Sequence, residues 1–229
     1  MHNHEKSLSR RGFVTTSAAS AAAMAMGGGV SLHAAAVEPP PLTPDDALKR
    51  LMDGNGRFAG KRMTSFTDDL AILKQNTVDK QEPYAAVLSC ADSRVPVELV
   101  FDQTIGHIFV TRVAGNVASS EIIASLEYGV AVLGTKVIMV MGHAGCGAVK
   151  AAIGGKAVPG QISALYRYIR PAIDQAGPDL AAATRANAQI QARLLRESSP
   201  VIADAIQQGA LKVVASLYDL ATGTVTILT

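Results

Sequence analysis

No tryptophan occurs anywhere in the chain, and cysteine occurs only twice, at Cys90 and Cys146. Two cysteines are too few for a disulfide scaffold, so the fold must rest on an apolar core. Charged residues are sparse at 17%, against 48% hydrophobic residues, a balance that excludes a disordered chain. A membrane anchor is also disfavoured. The Ala/Met-rich stretch near the N-terminus is broken by Gly27-Gly28-Gly29 before it reaches spanning length. What remains is a length of 229 residues, which suits one domain with a sizeable core.

The N-terminal region has its own pattern. Ser9-Arg10-Arg11-Gly12-Phe13 is followed by Val14-Thr15-Thr16, a long Ala/Gly/Met stretch and Ala34-Ala35-Ala36. A twin-arginine start, a weakly apolar middle and a small-residue end make an export signal. The reading is therefore a twin-arginine signal peptide over 1–36, a Pro-rich linker over 37–42 and one domain over 43–229. The expected location is periplasmic or secreted, with export in folded form. Removing the signal takes away Lys6, Arg10, Arg11 and Glu5, which leaves 18 basic and 18 acidic residues. The mature chain is formally neutral, so its charge gives no reason to expect a nucleic-acid partner. It keeps two cysteines and two histidines, His107 and His143.

After the linker, Thr43 reads as a helix N-cap, with Pro44, Asp45 and Asp46 in the first turn of a helix running to about Phe58. A short helix is expected after Thr67. Apolar strands are expected at Tyr84–Ser89, Ile108–Val113 and Lys136–Met141, with helices over Ser119–Leu133 and Ala182–Glu197. Lys212–Tyr218 and Thr224–Leu228 flank a turn at Ala221-Thr222-Gly223, a hairpin pattern. Continuous apolar strands alternating with helices predict a single α/β domain, a mainly parallel sheet flanked by helices on both faces.

In such a sheet, ligands gather at the carboxyl ends of the strands. Cys90 ends one predicted strand, His143 lies just past another, and Cys146 follows at what should be a helix N-terminus. Two thiolates and one imidazole suit zinc, and three protein ligands leave the fourth position open for chemistry. Two core cysteines and a satisfied core histidine are the alternative. Asp92 and Arg94, two and four residues past Cys90, can reach the same site. There the carboxylate could accept a hydrogen bond from metal-bound water, and the arginine could keep it ionised and oriented. A loop salt bridge of no functional weight is the alternative.

Cys90-Ala91-Asp92-Ser93-Arg94-Val95 and His143-Ala144-Gly145-Cys146-Gly147-Ala148 resemble the two signatures of β-class carbonic anhydrases. The resemblance runs from about Thr43 to Thr229. It takes in Gly54-Asn55-Gly56-Arg57-Phe58, Arg112-Val113-Ala114-Gly115-Asn116, Ser198-Ser199-Pro200 and Tyr218-Asp219-Leu220-Ala221-Thr222-Gly223. It implies Cys90, His143 and Cys146 as ligands of one zinc ion per subunit, and Asp92 with Arg94 as the catalytic, orienting dyad. Gln81 matches a substrate-binding glutamine, and Phe109 and Tyr128 match aromatics of a narrow cleft. In the family that cleft lies at a dimer interface, which implies a homodimer or a higher homo-oligomer here. Some members carry a bicarbonate pocket that switches them off at lower pH. Their tryptophan falls where this chain has Val87, so a constitutively open form is expected.

The activity implied is reversible hydration of carbon dioxide to bicarbonate. Two thiolates offset the charge of the metal, so activity should rise into alkaline pH. Carbonyl sulfide or carbon disulfide hydrolysis on the same scaffold is the nearest rival. A non-catalytic zinc protein and a Cys90–Cys146 redox protein are more distant ones. His107, in a glycine-containing turn, is expected to serve the surface.

Overall fold

The computed structural model describes residues 41–65 and 77–229. The signal over 1–36, most of the linker and the short helix expected after Thr67 lie outside the described residues.

Helix α1, Pro44–Ala59, starts as its sequence dictates. Thr43 Oγ1 accepts the Asp46 N–H at 3.1 Å, and the Asp46 carboxylate accepts the Thr43 N–H at 3.3 Å. This reciprocal capping box stabilises the helix start by about 1 kcal/mol. The elements that follow are β1 (Ala85–Ser89), α2 (Val97–Val100), β2 (Ile108–Arg112), α3 (Ser120–Ala131), β3 (Val137–His143) and α4 (Gly147–Gly154). After a 3₁₀ turn at Ile162–Leu165 come α5 (Tyr166–Ala176), α6 (Leu180–Ser198), α7 (Pro200–Gln207), β4 (Lys212–Tyr218) and β5 (Val225–Leu228).

The strands form one sheet in the order β2-β1-β3-β4-β5. The first four are parallel, and β5 returns antiparallel on β4, which is the expected hairpin. Every residue of β1 and β3 is buried, as a strand covered on both faces requires. The two-residue period then sorts the side chains. Ala85, Val87, Val137, Met139 and Met141 pack with Ala47 and Leu51 of α1 and with Val97 and Val100 of α2. Ala86, Leu88, Ile138 and Val140 pack with Leu126 of α3, Ala188, Ala192 and Leu195 of α6, and Ile202 of α7. Removing a large apolar side chain from either layer should cost ~2–5 kcal/mol. Asn55 ties the α1 side together. Its amide donates to the Val100 and Gly223 carbonyls at 3.1 and 2.9 Å and accepts the Val225 N–H at 2.8 Å.

The structure corrects several expectations. β3 does not stop at Met141. Gly142 and His143 pair with Leu217 and Tyr218 of β4, so His143 is the last strand residue rather than one just beyond it. Pro200 does more than end α6: Ser199 Oγ accepts the Ile202 N–H at 3.1 Å, and Pro200 opens α7. Proline fits that first position because its missing N–H has no partner to lose. Helix α5 contains Pro171, which masked it as a helix in the sequence. No helix among the described residues is long and apolar enough to cross a membrane.

Candidate metal centre

One end of the sheet gathers three metal-ligating side chains. Cys90 directly follows β1, His143 ends β3, and these two strands are adjacent and parallel. Gly145, at φ +68°, then turns the chain in a left-handed conformation open to glycine at little cost. Cys146 follows as the N-cap of α4. One ring nitrogen of His143 and the two sulfurs all lie within 4.8 Å of one another, with the sulfurs 4.0 Å apart. All three residues are buried.

The hydrogen bonding around the imidazole leaves one nitrogen free. His143 Nδ1 lies 3.0 Å from the Ala144 carbonyl oxygen. A carbonyl only accepts, so Nδ1 carries the proton and Nε2 presents a lone pair. Nε2 is buried and has no hydrogen-bond partner. Leaving such an atom unpaired costs about 1–3 kcal/mol. A soft cation bound by Nε2 and the two sulfurs would remove that cost, and an S,S,N donor set suits zinc. The two sulfurs lie within hydrogen-bond reach of each other. The hydrogen bond from Cys146 draws the Cys90 thiol well down against the cost of burial, with help from the Gly115 amide. The same hydrogen bond, with burial, pushes Cys146 up.

Asp92 faces this cluster but is held elsewhere. Arg94 grips it with Nε on Oδ1 at 2.9 Å and Nη2 on Oδ2 at 2.8 Å, and the Arg94 N–H adds a third bond at 3.0 Å. That fork holds the carboxyl well below the usual carboxylate range. Asp92 Oδ2 stands 3.8 Å from His143 Nε2. The structure therefore brings together five of the residues singled out in the sequence: Cys90, Asp92, Arg94, His143 and Cys146.

Sequence reasoning gave no role to two further groups. Arg112, at the end of β2, donates from Nε to the Cys90 carbonyl at 3.0 Å and from Nη2 to the Asp92 carbonyl at 2.6 Å. It braces the loop that carries both residues. The Gly115 N–H reaches Cys90 Sγ at 3.3 Å. A basic residue at a strand's carboxyl end, followed by a glycine, was the available signal.

Three residues lie away from this site within the chain. Exposed Gln81 precedes β1, so the whole of that strand, roughly 17 Å at the usual rise, separates it from Cys90. Phe109 sits opposite Ala86, near the start of β1, with its ring centroid 6.3 Å from that of Tyr128. His107 lies at that same end of the sheet. It is half-buried, with Nδ1 2.8 Å from Thr104 Oγ1, rather than on an open surface. Val87 is fully buried between Val110 and Met139.

Residues 85–225 match the family model described as carbonic anhydrase. Carbonic anhydrase 2 of Mycobacterium tuberculosis is 34% identical over 201 residues, covering 80% of this chain and 92% of that protein. The chain belongs to the carbonic anhydrase family. Among solved structures, the β-carbonic anhydrase of Coccomyxa superposes with a TM-score of 0.62 at 28% identity, covering 79% of this chain and 86% of that one. A tetrameric β-carbonic anhydrase from Sordaria macrospora shares the fold, with a TM-score of 0.65 at 21% identity over 80% and 97% of the two chains. The chain is thus a carbonic anhydrase with the β-class fold. The matched segment contains every residue of the cluster, from Cys90 to Cys146.

Proposed function

We propose that this carbonic anhydrase catalyses zinc-dependent, reversible hydration of carbon dioxide to bicarbonate and a proton, with one zinc per subunit. The observation that carries this reading is the bare, buried Nε2 of His143 converging with the sulfurs of Cys90 and Cys146. These three residues would hold the metal. Zinc, when bound there, supplies Lewis-acid activation of water for attack on carbon dioxide. Asp92 would accept a hydrogen bond from that water, holding its proton in place and so aiming its lone pair at the substrate carbon. Arg94 keeps the Asp92 carboxylate ionised and turned to the site, and Arg112 fixes the backbone that carries it.

The working unit is proposed to be a homodimer or a higher oligomer. Gln81, Phe109 and Tyr128, the proposed substrate-binding residues, cannot reach the metal ligands of their own chain. A second copy can bring them there. Tyr128 of α3 and Val132, one helical turn on at its C-cap, are 47% and 64% exposed, an apolar surface available for such a contact. The N-terminal segment is proposed as a twin-arginine signal that delivers folded, metal-loaded protein to the periplasm or beyond.

Stopped-flow kinetics with carbon dioxide, carbonyl sulfide and carbon disulfide tests the substrate. Carbon dioxide should be turned over fastest. A clear preference for either sulfur compound would transfer the assignment to it.

A further inference from the structure

Helix α6 buries two primary amides one turn apart, Asn187 at 0% and Gln191 at 1% exposure. Most of their buried neighbours on the helix are apolar: Ala183, Ala186, Ala188, Ala192 and Leu195. Burying an amide is costly unless its bonds are made, and here they are. Asn187 Nδ2 donates to the Gly115 carbonyl at 2.8 Å. Gln191 Nε2 donates to Asn187 Oδ1 at 3.2 Å and to the Tyr168 carbonyl at 3.0 Å, while its Oε1 accepts the Ala118 N–H at 2.9 Å. The two amides clamp the loop after β2 at both ends of the segment 115–118.

That loop carries the Gly115 N–H, which donates to Cys90 Sγ. Gly115 stands at φ +79°, and a Cβ there would meet Ile169 Cδ1 at 2.9 Å. Only glycine fits there, so no side chain of its own anchors this residue and its backbone hydrogen bonds help fix how it turns. Asn187 holds the carbonyl of the same residue. Its grip on the following peptide restricts how Gly115 can rotate and so helps keep the N–H aimed at the sulfur.

We infer that Asn187 is a positioning residue for the metal centre: acting through Gly115, it holds a hydrogen bond on the Cys90 thiolate and so limits the charge that this sulfur gives to the metal. The inference rests on the zinc reading above. A hydrogen-bonded thiolate is a weaker donor. Losing the bond would make the metal less electrophilic and move the hydration rate to higher pH.

The test uses cobalt-substituted and zinc-loaded protein, as wild type and as Asn187→Ala. Thr184→Val is the control. Thr184 lies buried on the same helix, but its hydroxyl bonds only to the Leu180 carbonyl of that helix. In Asn187→Ala the thiolate-to-cobalt absorption band should move to longer wavelength. The pH midpoint of carbon dioxide hydration should rise by roughly half a unit, the scale of one altered charge-assisted hydrogen bond. Thr184→Val should shift neither, even if it melts earlier. If Asn187→Ala does not fold, Asn187→Ser is read the same way. A variant that loses stability yet keeps the wild-type band and midpoint overturns the inference and leaves Asn187 a structural amide. Failure of wild type to show any thiolate–cobalt band would instead defeat the metal assignment itself.

Discussion

Asp92 Oδ2 lies 3.8 Å from His143 Nε2, too far for a hydrogen bond, while both oxygens of Asp92 are taken by Arg94. The carboxylate therefore stands beside the three ligand atoms without joining them. This arrangement suits a residue that handles a proton at the metal rather than one that binds the metal.

Asp92→Ala should accordingly retain its zinc and lose about 100-fold or more of its hydration rate, the usual worth of a positioned acid–base group. Arg94→Ala should follow it in rate, since the carboxylate loses its orientation. Elemental analysis with stopped-flow kinetics checks both. Near-wild-type turnover in Asp92→Ala would reduce the pair to a loop brace.

A second carboxylate bears on stability instead. Asp102 is buried at the end of α2. It accepts the Thr64 and Ser65 N–H groups at 3.0 and 2.9 Å and pairs with Arg57. Burial opposes its charge, yet these bonds prevail and hold the carboxyl below its ordinary range. A depressed folded value means the stabilisation is present above the unfolded value near 4 and is lost as pH falls through the folded one. Urea melts should show stability roughly flat from pH 7 to 5 and falling below about pH 4. Asp102→Asn should cost about 2 kcal/mol at pH 7 and flatten the acid limb. An unchanged acid limb would remove Asp102 from this role.

Val87 is packed in the sheet core, at the position where the resemblance to β-class carbonic anhydrases would place the tryptophan of a regulatory pocket. The purified enzyme should therefore lose activity gradually below pH 8. A steep, cooperative fall with cooperative bicarbonate inhibition would contradict this.

Export should couple to metal loading. Thiols that must converge at 4.0 Å risk oxidation in an oxidising compartment unless the metal is bound first. Arg10→Lys with Arg11→Lys should leave active enzyme in the cytoplasm. A general secretory signal in place of residues 1–36 should yield exported protein with little zinc. Normal zinc and free thiols in that exported protein would defeat the coupling.

The proposed metal ligands were legible because strand ends announce themselves. The continuous apolar runs of β1 and β3 place Cys90 and His143, and the glycines around Cys146 mark a tight turn. The β4–β5 hairpin was legible from its turn residues. Helices α5 and α7 were not, because Pro171 and Pro200 read locally as breaks. Only tertiary packing of Ile169 and Ala172, and the cap from Ser199, reveal them as helical. Asn187 and Gln191 were hidden for another reason. They bond to backbone groups 72 and 73 residues away, and no local spacing signals that contact.

The most direct test of the account is a zinc titration of metal-stripped protein, followed by carbon dioxide hydration in a stopped-flow instrument with elemental analysis at each point. Activity should rise linearly and stop at about one zinc per chain. Cys90→Ala, His143→Ala and Cys146→Ala should each bind little zinc and stay inactive. Full activity without metal, or full zinc occupancy in all three variants, would contradict it.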